Sequence, residues 1–94
     1  MTDKKKKDFI IGETRSGFSF EIAKTRFDNF ELLEILGELD ENPLLLPKVT
    51  KMILGDEEKK RLYDHVRRDD GTVPTEAIGD ELADIFDSVR EVKN

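Results

Sequence analysis

His65 is the only histidine in the chain, and there is no cysteine. Histidine can move a proton or hold a metal, yet nucleophilic catalysis also needs a serine or cysteine beside it and a third group to orient the ring. The neighbours of His65 are Asp64, Val66, Arg67 and Arg68, which offer no such partner. It therefore reads as a half-exposed structural histidine on a charged helix.

Carboxylates are the other chemical resource. Glu76, Asp80, Asp84, Asp87 and Glu91 recur at helical spacing and form one stripe. A glycosidase-type pair needs a cleft that separates the two pKa values, and a repeating solvent face supplies none. Asp69-Asp70-Gly71-Thr72-Val73 has the glycine and the apolar residue of a calcium loop at its sixth and eighth positions. The same alignment puts Val66 first, Arg68 third and Ala77 last, and none of these carries a carboxylate. The acidic pair is a helix stop and turn. The chain also lacks a glycine-rich phosphate loop, paired metal ligands and a GxSxG elbow. The expectation is a non-enzymatic protein without cofactor or metal.

Composition narrows the partners. A chain of 94 residues makes one domain, and 36% hydrophobic with 40% charged residues predicts a lean core. The absence of cysteine excludes disulfides and fits a reducing cytosol. No apolar run approaches the roughly 18 residues of a membrane span, which predicts a soluble protein with no membrane contact. A net charge of −6 opposes nucleic-acid binding, which depends on cations that neutralise phosphates. Lys4–Lys7 is the exception and is read, with residues 1–7, as a disordered basic tail.

The elements that must position these groups follow from periodicity. Phe18, Phe20 and Ile22 alternate with polar or small residues, and the period becomes helical from Asp28 onward. Residues 8–24 read as an antiparallel hairpin turned at Glu13–Gly17, since two β-rich runs flank a polar stretch ending in glycine. Four short helices are expected after it, at about 29–40, 47–54, 57–69 and 74–91. Asp28 and Glu31 have capping-box spacing before a stripe of Leu32, Leu33, Leu36 and Leu39. Pro43 and Pro47 bracket an apolar turn, Leu44–Leu46, and Gly55 closes the second helix. The third helix has a thin apolar side, Leu62, Tyr63 and Val66, with Glu57/Arg61 and Asp64/Arg68 at four-residue spacing. The last carries Ile78, Leu82, Ile85, Phe86 and Val89 on one face, with Gly79 placed for close helix packing. The fold class is α+β, mainly α, in a single domain over 8–94.

Two kinds of contact surface are expected. Phe18 and Phe20 on the hairpin, with Leu44, Leu45 and Leu46, are candidates for binding a protein partner. Lys59, Lys60, Arg61, Arg67 and Arg68 on the third helix face in charge the Glu76, Asp80, Asp84 and Asp87 stripe on the last. Contact between these two faces in successive copies would be heterologous and could propagate as a ring or spiral.

The order of parts resembles the small tail assembly chaperones of long-tailed phages and prophages of Firmicutes. The resemblance is carried by Ile53-Leu54-Gly55, the acidic-start helix Asp56–Arg68, Asp70-Gly71-Thr72-Val73 and Glu81-Leu82-Ala83-Asp84-Ile85-Phe86, within 28–94. It implies a homo-oligomeric, non-enzymatic factor in the host bacterial cytoplasm that coats the tape measure protein, keeps its apolar stripe soluble and recruits tail tube subunits. It also implies absence from the mature virion, and a longer frameshifted form in many members. The alternative, from a different class, is a small acidic inhibitor or nucleic-acid mimic that presents the last helix's carboxylates to a basic protein.

Overall fold

The computed structural model describes residues 8–91, so the expected tail at 1–7 and the last three residues lie outside the described part of the chain. Strands β1 (Phe9–Glu13) and β2 (Ser19–Ala23) pair antiparallel, with Ile10 opposite Ile22 and Gly12 opposite Phe20. Their turn is closed by Thr14. Its N–H donates to the Phe18 carbonyl at 2.9 Å, its own carbonyl accepts from Gly17, and its hydroxyl oxygen accepts from the Phe18 N–H at 3.1 Å. Gly17 stands at φ 94, where a side chain would be strained. The architecture is α+β, as periodicity predicted, with the hairpin followed by helices.

Those helices are α1 (Lys24–Phe27), α2 (Phe30–Leu39), α3 (Leu46–Val66) and α4 (Thr75–Glu91), with a 3-10 turn over Pro43–Leu45 before α3. The single turn α1 has no counterpart in the sequence reading. The cap of α2 is Asn29 rather than Asp28: Asn29 Oδ1 accepts from the Glu31 N–H at 3.1 Å, and the helix starts one residue later than expected. Gly55 has φ 79 and ψ 171 and breaks α3 into two arms, 46–54 and 56–66, which correspond to the second and third expected helices. The second arm stops at Val66 instead of reaching Asp69. Arg67 is extended there, and the turn beyond it makes its own bonds, Arg68 N–H to the Thr72 carbonyl at 2.8 Å and Gly71 N–H to the Arg68 carbonyl at 2.9 Å.

The core joins one face of the hairpin to all three longer helices. Ile10, Phe18, Phe20 and Ile22 meet Leu32 of α2, Val49, Ile53, Leu54 and Leu62 of α3, and Ile78, Leu82 and Ile85 of α4. Phe18 and Phe20 are 1% and 3% exposed, so the two aromatic candidates for partner binding are instead core residues. The reason is that a two-stranded sheet is marginal in water, whereas burying each ring contributes about 1.5–3 kcal/mol. Leu33 is corrected in the opposite sense. It is 61% exposed, and the inward stripe of α2 is Leu32 with Ile35 and Leu36. Gly79 has no heavy atom within 4 Å of an added Cβ, so the expected close packing is absent at that point.

Candidate binding site

His65 has a serine after all, supplied from the other end of the chain. Ser16, in the hairpin turn, lies 2.9 Å from His65 Nε2 and donates its hydroxyl proton to Glu81 Oε2 at 2.6 Å. A hydroxyl has one proton, so Ser16 must accept from the other two groups it touches, His65 Nε2–H and the Thr14 hydroxyl at 3.2 Å. The protons run from the Phe18 N–H through Thr14 and Ser16 to Glu81, and His65 enters as a donor. In a nucleophile–base–acid array the acid orients the histidine and the histidine takes the serine proton. Here the acid takes it directly. The nearby N–H groups of Gly17, Phe18 and Arg15 are spent on the Thr14 carbonyl, the Thr14 hydroxyl and Asp84, so no oxyanion cradle accompanies the serine.

The cluster instead fastens the turn to α3 and α4. Arg15 adds to it, donating its N–H to Asp84 Oδ2 at 2.9 Å while its guanidinium meets Oδ1 at 3.2 Å. The Phe18 ring lies 5.5 Å from the imidazole and 4.5 Å below the Arg61 guanidinium, so this polar group roofs the aromatic core. Glu81, 5% exposed, belongs to α4 but not to its carboxylate stripe. Neither it nor Ser16 nor Arg15 was singled out from sequence.

The charged residues expected to join copies are largely occupied within the molecule. Arg61 bonds to Glu58 at 2.8 Å and to the Ser19 carbonyl, and Arg67 bonds to Asp64 at 2.9 Å and to the Gly71 carbonyl at 2.8 Å. These pairs have three-residue spacing, so Glu58 and Arg67 replace the Glu57 and Arg68 of the expected pairings. Arg68 donates to the Thr72 hydroxyl, Lys59 stands 5.8 Å over the Tyr63 ring, Asp84 holds Arg15 and Asp87 meets Arg90 at 3.4 Å. Among the described residues, Lys59, Lys60, Glu76 and Asp80 are the members of the two sets without an ion pair or side-chain hydrogen bond. Exposed pairs contribute about 0–1 kcal/mol each, and exchanging them for contacts between copies offers little.

A separate opening is apolar. A groove of about 300 Å³ is walled by Pro43, Leu44, Leu46, Pro47 and Thr50 from the 3-10 turn and first arm of α3, by Tyr63 of the second arm, and by Val73, Thr75 and Ile78 at the start of α4. Leu44 is 86% exposed at its rim, while Leu45 and Leu46 are half-buried. Pro43 and Pro47 produce this exposure. The first lies at the start of the 3-10 turn and the second in the opening turn of α3, positions where a missing N–H is tolerated, and together they hold three leucines in a tight turn that cannot bury all of them. Phe30 and Leu33, 72% and 61% exposed, add a second apolar strip on α2.

Asp70 organises the loop that leads to this groove. Its carboxylate accepts from the Thr72 hydroxyl at 2.7 Å and the Thr72 N–H at 3.0 Å, and those two bonds, the hydroxyl first, hold its pKa below the ordinary carboxylate value. Gly71 completes the turn at φ 93. Among the described residues no three histidine, aspartate or glutamate side chains converge as a metal site, and no helix is long and apolar enough to cross a membrane. Compared with protein-family profiles, curated proteins and solved structures, the chain matches none of them.

Proposed function

We propose that this protein is a non-enzymatic binding module that receives an apolar helical segment in the groove beside Leu44, and that it serves as a phage tail assembly chaperone. The single observation that carries the reading is that groove: an open, apolar trough of about 300 Å³ with a leucine 86% exposed on its edge. Troughs of this kind accept one face of an amphipathic helix, read through anchors spaced three and four residues apart. The client that fits is long, helical and apolar-striped, which is the chemistry of a tape measure protein. The resemblance of residues 28–94 to the tail assembly chaperones supplies the same client and adds the recruitment of tail tube subunits, homo-oligomeric action in the host cytoplasm and departure before the virion is finished.

The acidic-inhibitor reading draws less support, because Asp84 and Asp87 of the carboxylate stripe already hold Arg15 and Arg90. Co-expression with a tape measure protein, with and without Leu44→Asp, tests the proposal. Leu44 is exposed, so the variant is expected to fold with an unchanged circular dichroism spectrum while the client moves to the insoluble fraction. A client that is equally soluble with the variant would remove the groove from the mechanism, and a client that stays insoluble with the natural chain would remove the chaperone.

A further inference from the structure

Parity within the hairpin decides which backbone groups it leaves open. Thr14 donates to Phe18 and Lys24 donates to Asp8 at 2.8 Å, so the hydrogen-bonded pairs are those that contain Ile10 with Ile22 and Gly12 with Phe20. Bonded and non-bonded pairs alternate along an antiparallel ladder. Phe9, Ile11 and Glu13 therefore turn their N–H and C=O groups away from β2, toward the outer edge of β1. By the same parity Ser19, Glu21 and Ala23 face the outer edge of β2, where the Arg61 guanidinium already donates to the Ser19 carbonyl. Among the described residues nothing bonds to the outward backbone of Phe9, Ile11 or Glu13. Strand edges are ordinarily blunted by proline, lysine or a bulge. The segment Phe-Ile-Ile-Gly-Glu has none of these, its register with β2 is unbroken, and Ile11 at its centre is 53% exposed.

We propose that β1 pairs antiparallel with β1 of a second copy of this chain, about a two-fold axis at Ile11. Two features select a second copy over another strand. The edge is self-complementary: Ile11 meets Ile11, and Phe9 meets Glu13, so the two glutamates avoid each other and every facing pair exchanges two backbone hydrogen bonds. The association also closes. Because Arg61 occupies the far edge at Ser19, growth ends with the strand order β2-β1-β1-β2, and a marginal two-stranded ribbon becomes a four-stranded sheet. This surface is separate from the Leu44 groove, so either can fail without the other.

Sedimentation of the 94-residue chain, alone, is expected to give the mass of two 10.8 kDa chains. Ile11→Pro removes an outward N–H at the axis without taking a bond from the β1–β2 ladder, and is expected to be monomeric with an unchanged circular dichroism spectrum. A second variant needs no backbone change. Facing residues of a bonded pair have Cα atoms about 5.5 Å apart, within disulfide range, and the natural chain has no cysteine. Under mild oxidation Ile11→Cys is expected to form a covalent dimer much faster than Glu21→Cys, which lies on the same sheet face but off the axis. A monomeric natural chain, or equal cross-linking by the two cysteine variants, would overturn the proposal.

Discussion

Arg26 and Gly55 form one device at the break in α3. Nη1 of Arg26 donates to the Met52 carbonyl at 3.2 Å, and its Nη2 would lie 3.0 Å from a Cβ added at Gly55. The glycine's backbone, at φ 79 and ψ 171, ends the first arm and strips the Met52 carbonyl of its helical partner. Arg26, from α1, replaces that partner and ties the short helix to the bend.

Gly55→Ala is expected to destabilise the fold by about 1–3 kcal/mol, because this backbone region is essentially closed to residues with a side chain. The guanidinium can swing aside, so the strain resides in the backbone rather than in the contact. Arg26→Met should cost about 1 kcal/mol for the uncapped carbonyl. It should not rescue Gly55→Ala when the two are combined. Urea midpoints of the two single variants and the double variant measure this, and an alanine variant as stable as the natural chain would refute the strain.

The elements with a clear period were the legible ones. Ile78, Leu82 and Ile85 are buried as their spacing predicted, the alternation of Phe18, Phe20 and Ile22 marked β2 and its buried face, and Gly55 sits at a helix break. Four residues carry no period, which is why α1 escaped notice. Leu33 misled because α2 has leucine or isoleucine at positions 32, 33, 35, 36 and 39, a stripe wider than one contact, and only the neighbouring helix decides which edge is inside. The groove was half legible. Leu44–Leu46 between two prolines announced surplus apolar surface, but its other walls, Tyr63, Val73 and Ile78, come from distant segments. Ser16 joins residues 49 and 65 positions away, a separation that leaves no local trace. One signal existed. Glu81 falls between Ile78 and Leu82 on the apolar face of α4, where a carboxylate needs a specific partner.

The turn before α4 should respond to acid. Asp70 has its folded pKa held below the unfolded value, near 3.9 for a free aspartate, by the two bonds from Thr72. A depressed carboxylate contributes stability that is present above the unfolded pKa and lost as pH falls through the folded one. Thr72→Val removes the hydroxyl donor while leaving the N–H. Its effect on stability is expected to be measurable near neutral pH and to vanish once acid protonates Asp70 in both proteins. An acid-titration midpoint for Asp70, followed by NMR of its carboxyl carbon, should move upward in the variant. An unmoved midpoint would show that Thr72 does not hold the carboxylate.

Ser16 and Glu81 supply the sharpest energetic test, because only one oxygen of the buried carboxylate is satisfied. Oε2 accepts from Ser16, whereas Oε1 has no hydrogen-bond partner among the described residues. Removing the serine hydroxyl leaves a buried acceptor with nothing to bond, which costs about 1–3 kcal/mol and more when the group is charged. Ser16→Ala is therefore expected to destabilise strongly for a change in an exposed turn. Replacing both partners at once should behave differently: Ser16→Ala with Glu81→Met exchanges an unsatisfied carboxylate for an apolar group of similar length between Ile78 and Leu82, and should recover most of the loss. The cycle of the two single variants and the double variant should give a coupling of at least about 0.5 kcal/mol, since the residues share one bond. His65→Gln probes the third member. As a donor to Ser16 it should be replaceable by an amide at little cost, whereas a large loss would mean that the imidazole acts as more than a hydrogen-bond partner of Ser16.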